Sequence, residues 1–152
     1  MHEFTWLLDV DGVLNANKSG WSAAPHSGTA YYLGTSWKMR WAPQLMERVR
    51  KVHSLPHVEV LWATSWCGYT DQLEKLFKLP ALRSAWSTRM YNDDKVAAAE
   101  KVLASGNKLI WTDDEAIPYA WKSNSRQLLI APKPNRGLRP EHLDQIDEFL
   151  SR

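Results

Sequence analysis

The sequence has a single cysteine, Cys67, among its 152 residues. Alone it can close no internal disulfide and build no cysteine-based zinc site, which predicts a reducing, cytoplasmic setting. Long apolar runs are missing too. No segment approaches the roughly 18 uninterrupted apolar residues of a membrane helix. The start, MHEFTWLLDVDG, puts an acid rather than a basic region ahead of its short apolar stretch. Neither a membrane span nor a signal peptide is therefore expected. Internal repeats and low-complexity tracts are absent, which excludes solenoids and disordered spacers. Charge imbalance is slight: 19 basic and 17 acidic residues leave +2, too little by itself to argue for a nucleic-acid partner.

What is there is the composition of a folded chain, 44% hydrophobic and 24% charged. The length fits one domain, expected over residues 1–152, able to bury roughly 70% of its unfolded surface without staples. Four short apolar runs read as buried strands: 4–10, 57–64, 108–113 and 127–132. Helical spacing lies between and after them. APQLMERVRKVH has Pro43 in its first turn and Leu45, Val49 and Val52 on one face. YTDQLEKLFKLP offers Thr70 as cap, Leu73, Leu76 and Phe77 as inner face, and Pro80 as stop. NDDKVAAAEKVLASGN starts at Asn92 or Asp93 and ends by Gly106. RPEHLDQIDEFL closes the chain with Leu143, Ile146 and Leu150 facing inward.

Strands alternating with helices predict an α/β fold with a mostly parallel central sheet between helical layers. Such sheets bind ligands beyond the carboxyl ends of their strands. On that edge the pattern places Asp9 and Asp11, then Thr64 and Ser65, then Asp113 and Asp114, with Lys95 in the first turn of the helix feeding the third strand. Residues 15–42 are irregular, and GTAYYLGTSWKMRW fits a β-hairpin flap too short to be a second domain. Asp9 and Asp11 pose a problem. In an extended chain, residues two apart share a face, and two crowded carboxylates repel unless one is protonated or a cation lies between them.

The ordered signatures LLDVDGVLN, VLWATS, NDDK and IWTDDE, followed by APKPNRGLRPEHLDQIDEFL, resemble the haloacid dehalogenase (HAD) superfamily of phosphohydrolases. Within it the compact, Trp-rich form is similar to small stand-alone HAD proteins of bacteria and phages, including domains linked with RNA repair. The resemblance implies a three-layer Rossmann-like fold with a small flap and no large cap. It implies a Mg²⁺-dependent phosphatase acting on a phosphomonoester. Asp9 would attack phosphorus and carry an aspartyl-phosphate, and Asp11 would act as general acid and base. Asp9, the backbone carbonyl of Asp11, Asp113 and Asp114 would hold the metal. Thr64, or Ser65 if the strand shifts by one residue, would bond a phosphoryl oxygen. Lys95 would offset negative charge, and Gly12 would allow a sharp turn beside the phosphate.

Bland readings stand beside these. Asp9 and Asp11 fit a turn before Gly12, and Asp113 and Asp114 fit a helix cap. Asp93 and Asp94 fit a cap and a dipole partner better than metal ligands. Cys67 has no base beside it, and Pro56 breaks the helix that would align His53 with His57. Trp6, Trp62 and Trp111 fall in strand runs and read as core, whereas Trp21, Trp37 and Trp41 lie in the flap, to pack or to stack on a base or sugar. Those indoles, with Lys133, Arg136 and Arg139 after the last strand, make a nucleotide or nucleic-acid end the substrate to consider. A phosphotransferase or mutase would carry the same signatures. So would a silent phosphate-binding module. A receiver-like signalling domain uses similar residues in a different order.

Overall fold

A computed structural model describes residues 2–152. Five parallel strands form the central sheet: β1 (Phe4–Leu8), β4 (Val58–Trp62), β5 (Arg83–Ser84), β6 (Lys108–Thr112) and β7 (Gln127–Ile130). Their order is β5-β4-β1-β6-β7. A separate antiparallel hairpin joins β2 (His26–Tyr32) to β3 (Thr35–Trp41). The helices are α1 (Pro43–His53), α2 (Thr70–Phe77), α3 (Asn92–Ala104) and α4 (Pro140–Leu150). The α/β architecture, the small flap and the lack of a large cap agree with the fold expected from the sequence. No helix among the described residues is long and apolar enough to cross a membrane.

β1 sits at the centre because every one of its residues can be buried: FTWLL has no solvent face. Its register against β4 and β6 brings Leu8 level with Trp62 and Thr112, so the three strands end together. Phe4, Trp6 and Leu8 point to the face carrying α1 and α4, where Phe4 meets Phe149 edge-on. Trp62 belongs to the same face and donates its indole N–H to Glu74 of α2. Thr5 and Leu7 point the other way, toward α3, which covers only part of its face. Trp6, Trp62 and Trp111 are fully buried core residues.

Differences from the sequence reading sit at element ends. The strands stop short of their polar ends, so Asp9 and Asp113 lie just past the sheet rather than in it. β5 has two residues, too few to leave a periodic signal. Tyr69, not Thr70, precedes α2. Tyr91 precedes α3, and Asp94 reaches back to accept its N–H at 2.9 Å, the acidic half of a capping box. Gly106, at φ +93°, ends α3 as its position predicts. In the hairpin, Leu33 and Gly34 both take positive φ, as a two-residue primed turn requires.

Glu74 ties α2 to the sheet by accepting two donors, Trp62 Nε1 at 2.9 Å and the Leu82 N–H at 3.0 Å. Glu74→Ala strands both, and unfolding stability should fall by about 2 kcal/mol or more. Glu74→Gln keeps an acceptor and should lose less. Urea unfolding followed by tryptophan fluorescence separates the two, and equal losses would rule this account out.

Candidate active site

Parallel strands deliver their carboxyl ends to one edge, and the backbone continues that alignment past each strand. Ala63 N–H donates to Leu8, Asp9 N–H to Thr112, and Asp113 N–H to Ile130. Asp9, Thr64 and Asp113 thereby become neighbours although they come from three distant parts of the chain. α3 runs antiparallel to the strands and starts at the same edge, so its first turn brings in Lys95.

Lys95 Nζ lies 3.2 Å from Asp9 Oδ2 and 2.8 Å from Asp113 Oδ2, with all three side chains almost wholly buried. Asp113 is held on its other oxygen by the N–H groups of Glu115 and Ala116, at 3.0 and 2.9 Å. Oxygens of Asp9, Asp113 and Asp114 all lie within 4.8 Å of one another. The like-charge neighbour of Asp9 is Asp113, because β1 ends at Leu8 and the chain turns between Val10 and Asn15. The exposed Asp11 carboxylate instead takes one hydrogen bond from Asn15 Nδ2 and one from Trp66 Nε1, each 2.9 Å.

Electrostatics follow from this crowding. Burial first, then the charge of Asp113, pushes the Asp9 carboxyl well above the usual carboxylate range, with Lys95 opposing. Burial works to lower the Lys95 pKa, but Asp9 and Asp113 outweigh it and the net shift is upward. Desolvation, with Asp113 second, raises Asp114 to about 6. With all four ionised, three carboxylates and one ammonium leave two excess negative charges in one place. Hard oxygen donors at that spacing match a hard divalent cation, and its charge would relieve the repulsion that holds Asp9 and Asp114 up.

Thr64 is fully buried; its hydroxyl accepts the Trp66 N–H at 3.2 Å and favours the ionised form of Asp9. Ser65 lines the adjoining cavity of about 470 Å³, together with Asp9, Asp11, Arg89, Tyr91, Lys95 and Asp114. Gly12 lies at φ +75° and its N–H donates to Asn15. A Cβ there would stand 2.5 Å from Asp114 Oδ2, so this turn gives Asp114 its room.

Arg89, Asn15 and Trp66 escaped the sequence reading. Arg89 stacks over Tyr32 and Tyr91, at 5.8 and 5.1 Å from the ring centroids. Lining the cavity, it has no carboxylate partner among the described residues. No motif announces it. Trp66 directly follows the VLWATS signature, but nothing in one dimension ties an indole to Asp11. Of the flap tryptophans, Trp41 is buried against Phe77, Trp21 donates to the Leu138 carbonyl, and Trp37 is exposed. Arg139 pairs with Glu141, while Lys133 and Arg136 stay exposed. Cys67 is buried, and burial pushes its thiol up. α1 ends at His53, and His57 packs edge-on to Phe4.

A parallel α/β sheet with an Asp–Lys–Asp cluster at its carboxyl edge and a hairpin flap is the HAD architecture, a superfamily of hydrolases and phosphatases that generally use a divalent metal. Within it, the chain belongs to the family described as the HAD domain in Swiss Army Knife RNA repair proteins, whose model matches residues 5–143. No curated protein matches the chain.

Protonation and cation binding compete for the same oxygens. A carboxyl whose folded pKa is raised contributes stability below its unfolded pKa of 3.8, and that stability is lost as pH climbs toward about 6 for Asp114. A divalent cation should return it above that range only. Its thermal stabilisation should therefore grow between about pH 4 and about pH 7; scanning fluorimetry with and without the ion measures this, and a pH-independent gain contradicts it. Gly12→Ala should cost about 1 kcal/mol or more from its left-handed backbone alone and should blunt the cation's effect by displacing Asp114.

Proposed function

We propose that the protein is a Mg²⁺-dependent phosphatase that removes a phosphomonoester from the end of an RNA strand through an aspartyl-phosphate on Asp9. The observation that carries this reading is the buried Asp9–Lys95–Asp113 cluster opening into a cavity beside Asp11. Phosphoryl transfer requires little beyond in-line positioning and neutralised charge. Mg²⁺ on Asp9, Asp113, Asp114 and the Asp11 carbonyl would supply the larger share of that neutralisation.

The chain's own residues do the rest. Lys95 opposes the burial that disfavours the ionised form of Asp9, and a bound cation would add to that, so that a carboxylate oxygen can form the bond to phosphorus. As the phosphorus–oxygen bond to the RNA breaks, Asp11 gives its proton to the departing oxygen. Asp11 then takes a proton from water, whose oxygen attacks phosphorus and restores the Asp9 carboxylate with release of inorganic phosphate. Asn15 and Trp66 hold the Asp11 carboxyl for both transfers. The Thr64 hydroxyl orients Asp9, and Ser65, which lines the cavity, would donate to a phosphoryl oxygen. Arg89, free of any carboxylate, receives an anionic group of the substrate beyond the reacting phosphate. The RNA end as substrate class rests on the family's description and on a cavity in the size range of nucleotide-sized ligands.

Asp9→Asn should abolish phosphate release from phosphorylated oligonucleotides while leaving the thermal unfolding cooperative. Trp66→Phe, which removes one of two bonds to Asp11, should lower kcat about tenfold, the equivalent of about 1.4 kcal/mol. Release of phosphate by Asp9→Asn at the parent rate would sink the mechanism. Faster turnover of sugar phosphates than of 3′- or 5′-phosphorylated oligonucleotides would sink the substrate assignment.

A further inference from the structure

The 17 acidic residues are not spread evenly. None falls within residues 12–46 or within residues 116–140. Tertiary structure joins the end of the second acid-free segment, the loop after β7, to the first. Leu138 N–H donates to Val13, Ala16 N–H to Arg40, and Lys18 N–H to Asn135. Hairpin, the 15–18 stretch and the loop after β7 thus lie side by side. On this surface Lys18, Lys38, Arg40, Lys133 and Arg136 are all exposed, and none pairs with a carboxylate among the described residues.

The hairpin itself is two-faced. Ala30, Met39 and Trp41 point into the core. The opposite face, by strand alternation, presents Ser27, Thr29, Tyr31, Ser36, Lys38 and Arg40, every one exposed. This face holds two cations, four hydroxyls and no acid. It also reaches the cavity. Asn15 accepts the Arg40 N–H at 2.8 Å and donates to Asp11 at 2.9 Å, so the basic surface begins where the cavity wall ends.

We propose that this surface is a track for the phosphodiester backbone of a single-stranded nucleic acid whose terminus enters the cavity. Unpaired cations at the surface bind a polyanion by releasing its counterions. Hydroxyls add hydrogen bonds to phosphate and sugar oxygens. Tyr31, 57% exposed among them, offers a ring on which an unpaired base can stack, which selects a single strand over a duplex. The track deepens the RNA-end reading above and rests on it for what happens at the strand's terminus; the binding surface itself requires no catalysis.

The test is fluorescence anisotropy with the whole protein and a labelled RNA of about twelve nucleotides carrying no terminal phosphate. Lys38→Gln/Arg40→Gln and Lys133→Gln/Arg136→Gln should each weaken binding about tenfold and reduce the slope of log Kd against log salt by about 1.4, at about 0.7 per lost phosphate contact. Lys51→Gln/Lys101→Gln removes the same charge from α1 and α3 and should change binding less than about twofold. The probe carries no terminal phosphate and the readout is binding alone, so a failed phosphatase reading and a failed track give different results. Equal losses in the α1/α3 control, or no loss in the track variants, would overturn the proposal. So would a DNA strand of the same sequence that fails to bind, because the backbone is common to both. Competition by anionic vesicles at equal phosphate would overturn it as well.

Discussion

An ammonium buried between two carboxylates organises this protein's chemistry. Lys95 touches Asp9 and Asp113 at 3.2 and 2.8 Å with almost no water beside them. Each of these charges alone would cost several kcal/mol to bury, and removing any one would leave its partners uncompensated. The three therefore constrain one another. β1, β6 and the start of α3 must end at a common edge, or the charges could not be buried at all. The cluster still carries excess negative charge once Asp114 is counted, which is why Asp9 and Asp114 resist ionisation. The same frustration suits the site to a divalent cation.

The hairpin is attached to this centre by aromatic packing and by hydrogen bonds to its backbone. Tyr32 stands edge-on to Trp66 and tilted against Tyr69. Gln72 binds the Tyr31 backbone on both sides, accepting its N–H and donating to its carbonyl. Trp66 in turn donates to Asp11. Hairpin position and Asp11 orientation are therefore coupled through two side chains, Trp66 and Asn15, the second of which also accepts the Arg40 N–H. Tyr32 also lies under Arg89, so the same contact region touches the far wall of the cavity.

Charge at the level of the whole chain conceals its arrangement. A net +2 says little, yet the acids gather at the sheet edge and on the helices while two long segments have none. The result is an acidic cavity with Arg89 at its wall and a basic surface adjoining it. On the proposed reading, phosphate-bearing chains would be attracted to the second and neutralised in the first, which would give the clustered carboxylates and the free cations complementary tasks.

The sequence by itself determined the α/β alternation, the buried identity of β1 and the residues at the strand ends. These are local properties: period, apolar run length and the position of a polar residue after it. The ordered signatures carried the family resemblance for the same reason. Only tertiary structure decided which acids crowd together. Asp9 meets Asp113, 104 positions away, rather than Asp11 two positions away, because the strand stops at Leu8, two residues before its apolar run ends. It likewise decided that Trp66 reaches Asp11, that Arg89 stays free between two tyrosines, and that the loop after β7 meets the acid-free hairpin region. Side-chain partnership across parallel strands depends on where each strand ends in space, and no spacing along the chain encodes that.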